Sequence, residues 1–217
     1  AVLDSGVDNE HFSLDDFSDN NNDNEKQPDD LSDPKWLAGC DATSWNSQEC
    51  NDGEFDPDDG NGHGTHVAGI ALGTGDSRRV NQGYAPGSYL VDVKVMTDSG
   101  GSAGGDEGPI IKGLQWVLQN VNTDWGNNDS SEGIDVMTMS FGSGSSPVGE
   151  NDQGDDGNNS AARLVNNCAE AGIVPIAAIG NDGTNRVTSV GAADSAITVG
   201  AIDDQNTIQR NDDDIAD

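Results

Sequence analysis

The chain has 217 residues, with 40 Asp and Glu against 9 Lys and Arg, and a net charge of −31 at neutral pH. Four Lys and five Arg cannot neutralise a polyanion, which excludes a nucleic-acid backbone binder and disfavours anionic membrane surfaces. No run approaches the roughly 18 apolar residues of a membrane span, and Ala1-Val2-Leu3-Asp4 lacks the basic and apolar regions of a signal peptide.

In chain order, Ala1-Val2-Leu3 reads as the last residues of a strand, and residues 15 to 60 as an acidic insert. Thr65 to Leu72 then has a helical period, with Val67, Ile70 and Ala71 on one side. Tyr89 to Met96 is rich in β-branched residues between turn signals and predicts a strand. Pro109 to Val121 predicts a helix through Ile110, Leu114, Val117, Leu118 and Val121. A strand over Ile134 to Ser140 follows, then a helix over Ser160 to Ala171 stopped by Gly172. Ile173 to Ile179 is almost uninterrupted apolar, as suits a strand covered on both faces, and Ala196 to Ala201 is a shorter one. Asn211 to Asp217 shows neither strand nor helix. The alternation defines an α/β fold with a mostly parallel central sheet covered by helices, function gathering at the carboxyl ends of the strands. It is read as one domain over 1–217, cut at both ends.

Only 32% of residues are hydrophobic, which with this charge would ordinarily mean disorder, but the acids concentrate in 15–33, 49–60 and 151–159 and leave ordered apolar runs between them. Asp outnumbers Glu by 32 to 8, as on the surface of a halophile's protein, where molar salt screens the repulsion. Loops such as Asp56-Pro57-Asp58-Asp59-Gly60 lack EF-hand spacing and are read as solvated surface, so no metal ligand is assigned. Three Cys fit no zinc pattern: Cys40 and Cys50 can pair across a short loop in an exported protein, and Cys168 falls on the apolar face of a helix.

Four segments matter, in this order: Val2 to Asp8, Asn61 to Gly69, Met139 to Gly142 and Ala177 to Asn181. Asp4 ends an apolar strand, where a carboxylate can be held rigidly to orient a histidine. His66 sits in the first turn of a helix between Gly64 and Gly69, placed for proton transfer near neutral pH. Asn181 follows a strand and a Gly, so that its amide can donate to a developing oxyanion, although Asn-Asp-Gly is also strong turn chemistry. His63 is read as structural or cleft-lining and His11 as exposed.

Asp4-Ser5-Gly6, His63-Gly64-Thr65-His66-Val67-Ala68-Gly69 and Ala177-Ala178-Ile179-Gly180-Asn181 resemble, in order, the signatures of the subtilases, the subtilisin-like serine peptidases. Gly83-Tyr84-Ala85-Pro86 with Val93-Lys94-Val95, and Ser140-Phe141-Gly142, resemble further family segments. The resemblance implies a three-layer subtilisin-like fold and a secreted, monomeric endopeptidase acting on protein or peptide substrates through an acyl-enzyme. It implies that Asp4 stabilises the imidazolium of His66, that His66 is base and then acid, and that Asn181 is the oxyanion donor. Ser140, Phe141 and Gly142, with Gly100, Gly101 and Ser102, would flank an extended peptide. No cofactor is needed for the chemistry; structural calcium is implied by the family, without a ligand set. The family's nucleophile lies in Gly-Thr-Ser-Met-Ala-x-Pro, which does not occur in these 217 residues, so the chain alone is expected to be inactive.

Two rival readings stand against this one. Gly100-Gly101-Ser102-Ala103-Gly104 fits the G-x-S-x-G elbow of α/β-hydrolases, but that fold needs its His after the Ser, and all three His here precede Ser102. A subtilase-like binding module without a nucleophile is the second, opposed by the joint presence of Asp4, His66 and Asn181.

Overall fold

The computed structural model describes residues 1–15, 17, 35–44, 47–50, 53–75, 80–98, 107–126, 133–142, 157–181, 187–203, 205 and 214–215. Six strands form one parallel sheet: β1 (Val2–Asp4), β2 (Trp36–Asp41), β3 (Leu90–Lys94), β4 (Val136–Met139), β5 (Val174–Ala178) and β6 (Ile197–Val199), in the order β2-β3-β1-β4-β5-β6. The helices are α1 (His63–Leu72), α2 (Glu107–Gln119) and α3 (Ser160–Glu170). The expected strands and helices all form, shortened or shifted by one or two residues, which is the ordinary scatter of element ends.

The sheet divides the molecule into layers. Leu3, Val93, Val95, Met137 and Met139 are buried with Leu114, Val117, Ala162, Val165 and Cys168, so the apolar stripes of α2 and α3 cover one face. Val2 and Leu90 turn to the other face and pack with Val7, Leu14, Ala68 and Leu72, the stripe of α1. The start of α3 is set locally: Asn159 has extended backbone and its Oδ1 accepts the Ala162 N–H at 2.8 Å, a side-chain cap. Gly172 stops the helix in the left-handed region at φ 108°.

Chain order fixes where a site can lie. The chain leaves β1 towards β2 and β3 on one side, and leaves β4 towards β5 and β6 on the other. The carboxyl ends of β1 and β4 therefore flank the point where the winding reverses, where open α/β sheets bind their ligands.

Three expectations are corrected. Residues 15 to 60 are not solely insert, because Trp36–Asp41 forms the edge strand β2, paired with β3 from Trp36↔Leu90 to Asp41↔Lys94. The Cys40–Cys50 disulfide then ties that edge to the short 3-10 turn Ser47–Cys50. The far end carries a strand after all, Asp214–Ile215 (β8), antiparallel to Ile202–Asp203 (β7). Finally, β5 and β6 are not covered on both faces. Pro175 and Ala177 are buried, but the alternate positions Val174, Ile197 and Val199 are 42–55% exposed, and the sheet contacts of α1 centre on β1.

Candidate active site

The carboxyl end of β1 is pinned through its backbone. The Asp4 carbonyl accepts the N–H groups of Val95 at 2.8 Å and Met96 at 3.1 Å, which leaves the side chain to point past the sheet edge. Asp4 is fully buried. Its Oδ1 accepts the Ser5 N–H at 2.8 Å and meets Nδ1 of His63 at 2.7 Å, while Oδ2 has no hydrogen-bond partner. Burial pushes the Asp4 carboxyl above its ordinary value; the bonds from His63 and Ser5 pull it down without cancelling that effect. An ionised carboxylate so poorly compensated gains most from a proton on the neighbouring ring.

The partner of Asp4 is thus His63 and not His66, a correction of the sequence reading with a structural cause. α1 begins at His63, two residues ahead of the start expected from periodicity, because side chains from outside the helix satisfy its first amides. His63 N–H donates to Asn61 Oδ1 at 3.3 Å, Gly64 N–H to Ser5 Oγ at 3.0 Å and Thr65 N–H to Asp59 Oδ2 at 2.9 Å. His63 therefore occupies the first helical position, beside the strand end. Its side chain is 43% exposed on the solvent side of Asp4. With Nδ1–H given to the carboxylate, Nε2 is the acceptor left for chemistry. His66 lies nearly one turn further on and lines a separate concavity with Asp8, His11, Thr65 and Tyr84.

Asp59, not singled out in the sequence, is a second carboxylate bonded to the end of β1 and the start of α1. Burial raises its carboxyl, but the Thr65 hydroxyl and the amides of Gly62, Thr65 and Asn61 outweigh that and hold it below the ordinary value. The only sequence signal was its place four residues before His63, in a run of acids that looked like plain surface.

The other expected residues share the sheet edge without touching the pair. Asn181 is exposed, just past β5 and after Gly180, whose φ of 119° turns the chain out of the strand. β5 stands two strands from β1, roughly 10 Å across the edge. Ser140 to Gly142 follow β4, the strand between. The Phe141 side chain is buried in the core and Gly142 packs closely on the Thr188 side chain. Gly100, Gly101 and Ser102 lie outside the described residues. Among the described residues, Glu10, Asp56 and Asp58 each bring one carboxylate oxygen within 4.8 Å of the others, a hard donor set of the kind calcium takes, with Asn9 Nδ2 already donating to Asp56 Oδ2 at 3.0 Å. No described helix is long and apolar enough to cross a membrane.

At the switch point of the parallel sheet a buried carboxylate is thus bonded to a helix-borne imidazole, an arrangement suited to proton transfer. The model of the subtilase family matches residues 1–212, and the chain belongs to that family. It is 37% identical over 164 residues to the serine protease AprX of Bacillus subtilis, covering 74% of this chain and 34% of that protein. It is 34% identical over 155 residues to subtilisin DY of Bacillus licheniformis, covering 70% of this chain and 47% of that one. Among solved structures, sphericase superposes on all of this chain with a TM-score of 0.68 at 25% identity, over 57% of its own length. The chain thus spans about a third to a half of the curated relatives described.

Proposed function

We propose that the protein to which these residues belong is a serine endopeptidase working through an acyl-enzyme, with His63 as general base and then general acid and Asp4 as the carboxylate that orients it. The observation that carries this reading is the 2.7 Å contact between Asp4 Oδ1 and His63 Nδ1 at the sheet's switch point. In the reaction His63 Nε2 takes the proton of a serine hydroxyl as that oxygen attacks the scissile carbonyl, and returns it to the leaving amine. Asp4 holds the ring in the Nδ1–H tautomer and stabilises the imidazolium. The Asn181 amide is the donor to the oxyanion; in a subtilisin, a member of this family, removing such a donor costs about 2.7–4 kcal/mol. The backbone of Ser140 to Gly142 and the Gly100 to Ser102 segment flank the peptide as added strands.

This reading takes the serine from outside these 217 residues, in which the family's Gly-Thr-Ser-Met-Ala-x-Pro does not occur. The 217 residues alone then hydrolyse nothing. No step uses a cofactor; calcium enters only as a structural ion, with Glu10, Asp56 and Asp58 the described oxygens close enough to share one. A secreted, monomeric protein adapted to high salt completes the reading, in keeping with the Cys40–Cys50 bridge and the net charge of −31.

The test is to express the reading frame continued past Asp217 in molar salt and assay casein. Hydrolysis blocked by a serine-directed fluorophosphonate is expected. A frame that ends near Asp217, or a folded product that cleaves nothing at any salt, overturns the reading in favour of a binding module.

A further inference from the structure

Asp4 and His63 stand on different elements, a strand end and the first turn of a helix, and a bond of 2.7 Å between them requires those elements to keep their register to a fraction of an ångström. The pair does not supply that constraint itself, because His63 is 43% exposed on its outer side and Asp4 Oδ2 is bonded to nothing.

The constraint runs through the next residue on each side. Ser5, fully buried, gives its N–H to Asp4 Oδ1; its hydroxyl accepts the N–H of Gly64 at 3.0 Å and donates to Asp59 Oδ1 at 2.9 Å. A hydroxyl has a single proton, so committing it to Asp59 leaves a lone pair fixed on Gly64, the residue after His63. The same carboxylate grips the helix start. Oδ1 also accepts from Asn61 N at 3.0 Å and Gly62 N at 2.9 Å, and Oδ2 accepts from Thr65 N at 2.9 Å and Thr65 Oγ1 at 2.6 Å. One donor comes from the strand end and four from the helix start, and all converge on one side chain.

We infer that Asp59 is a positioning residue for the Asp4–His63 pair, locking the end of β1 to the start of α1 through Ser5 so that His63 Nδ1 meets Asp4 Oδ1. The inference rests on the peptidase reading only for its functional meaning; the geometry it describes exists without the nucleophile. Asn at position 59 offers one acceptor oxygen and turns an NH2 group toward donors. Its expected effect is therefore loss of the lock and not merely of charge.

The test is proton NMR of the full chain in molar salt with 15N-labelled histidine. Only three His need assignment, which His63→Ala completes. In Asp59→Asn and in Ser5→Ala the proton on His63 Nδ1 is expected to exchange with water about tenfold faster or to disappear, the factor for one ordinary hydrogen bond. Thr65→Val removes a helix-side bond without cutting the link through Ser5, and is expected to lower the melting temperature with the His63 signal unmoved. If Asp59→Asn does not fold, Ser5→Ala decides. An unchanged His63 signal in folded Ser5→Ala, or an equal change in Thr65→Val, overturns the inference and leaves Asp59 a helix cap. The expected response, together with no peptide cleavage by the folded protein carrying its nucleophile, would sink the peptidase reading and leave the role of Asp59 standing.

Discussion

A methyl group on Gly64 would stand 3.0 Å from Cβ of Asp4 and would run into the carbonyl oxygen of Gly6, so α1 meets the end of β1 with no side chain between them. The helix can carry its histidine to the carboxylate only because residue 64 has no Cβ. Gly64→Ala is expected to push the two elements apart at a cost of about 1–3 kcal/mol and to weaken the Asp4–His63 bond. Thermal unfolding with histidine NMR checks both, and a variant as stable as the parent with an intact His63 signal would contradict the packing described.

Asp92, in the middle of β3, is fully buried; its Oδ2 accepts the Val7 N–H at 2.8 Å and Oδ1 has no partner. Burial pushes its carboxyl well above the ordinary value; Val7 N–H and Lys94 oppose this, and the charges of Asp56 and Asp59 add to it. The folded state therefore holds this proton more tightly than the unfolded chain. The stability it contributes is present below about pH 4 and is lost as pH rises through the folded value. Asp92→Asn should melt higher than the parent at pH 7, with the difference shrinking as pH falls toward 4. A lower melting temperature at pH 7 would show that the charged form is needed.

Lys35 gives the opposite slope. Its side chain is fully buried, donating to the carbonyls of Pro86 at 2.9 Å and Ser88 at 2.6 Å over the Phe17 ring, and burial pulls the ammonium down to about 8. Between pH 8 and 10.5 the unfolded chain binds more protons than the folded one, so stability rises with pH across that window. The gain is roughly 3 kcal/mol at most, from the size of the shift. Lys35→Met should flatten this rise. An identical slope in the variant would assign it to other groups.

The charge of −31 predicts a salt requirement. The screening length falls from about 8 Å in physiological salt to about 3 Å at 1 M, short enough to uncouple neighbouring surface carboxylates. Near-UV circular dichroism should collapse on dialysis into dilute buffer and return with salt; a native spectrum in dilute buffer contradicts the high-salt reading.

Much of the fold was legible because its signals are local. The β-branched run at Leu90–Lys94 and the stripes of α2 and α3 name their own structures. β2 was missed because Trp-Leu-Ala-Gly-Cys is a short apolar run inside acidic sequence, and an edge strand is fixed by its partner β3. The site was half legible. Asp4 could be read from the strand that ends at it, but two His three residues apart are equivalent to periodicity. The choice of His63 depends on where α1 starts, and that is set by Ser5 and Asp59, distant in sequence or hidden among surface acids.

In the proposed mechanism Asp4 and His63, not Asp4 and His66, form the proton-transfer pair. The direct measurement is kcat for peptide hydrolysis by the protein carrying its nucleophile, compared with His63→Ala and His66→Ala. His63→Ala should lose on the order of 10⁶, the loss a subtilisin shows without its catalytic histidine, while His66→Ala retains most of the activity. Activity that survives His63→Ala and vanishes in a folded His66→Ala would contradict the account.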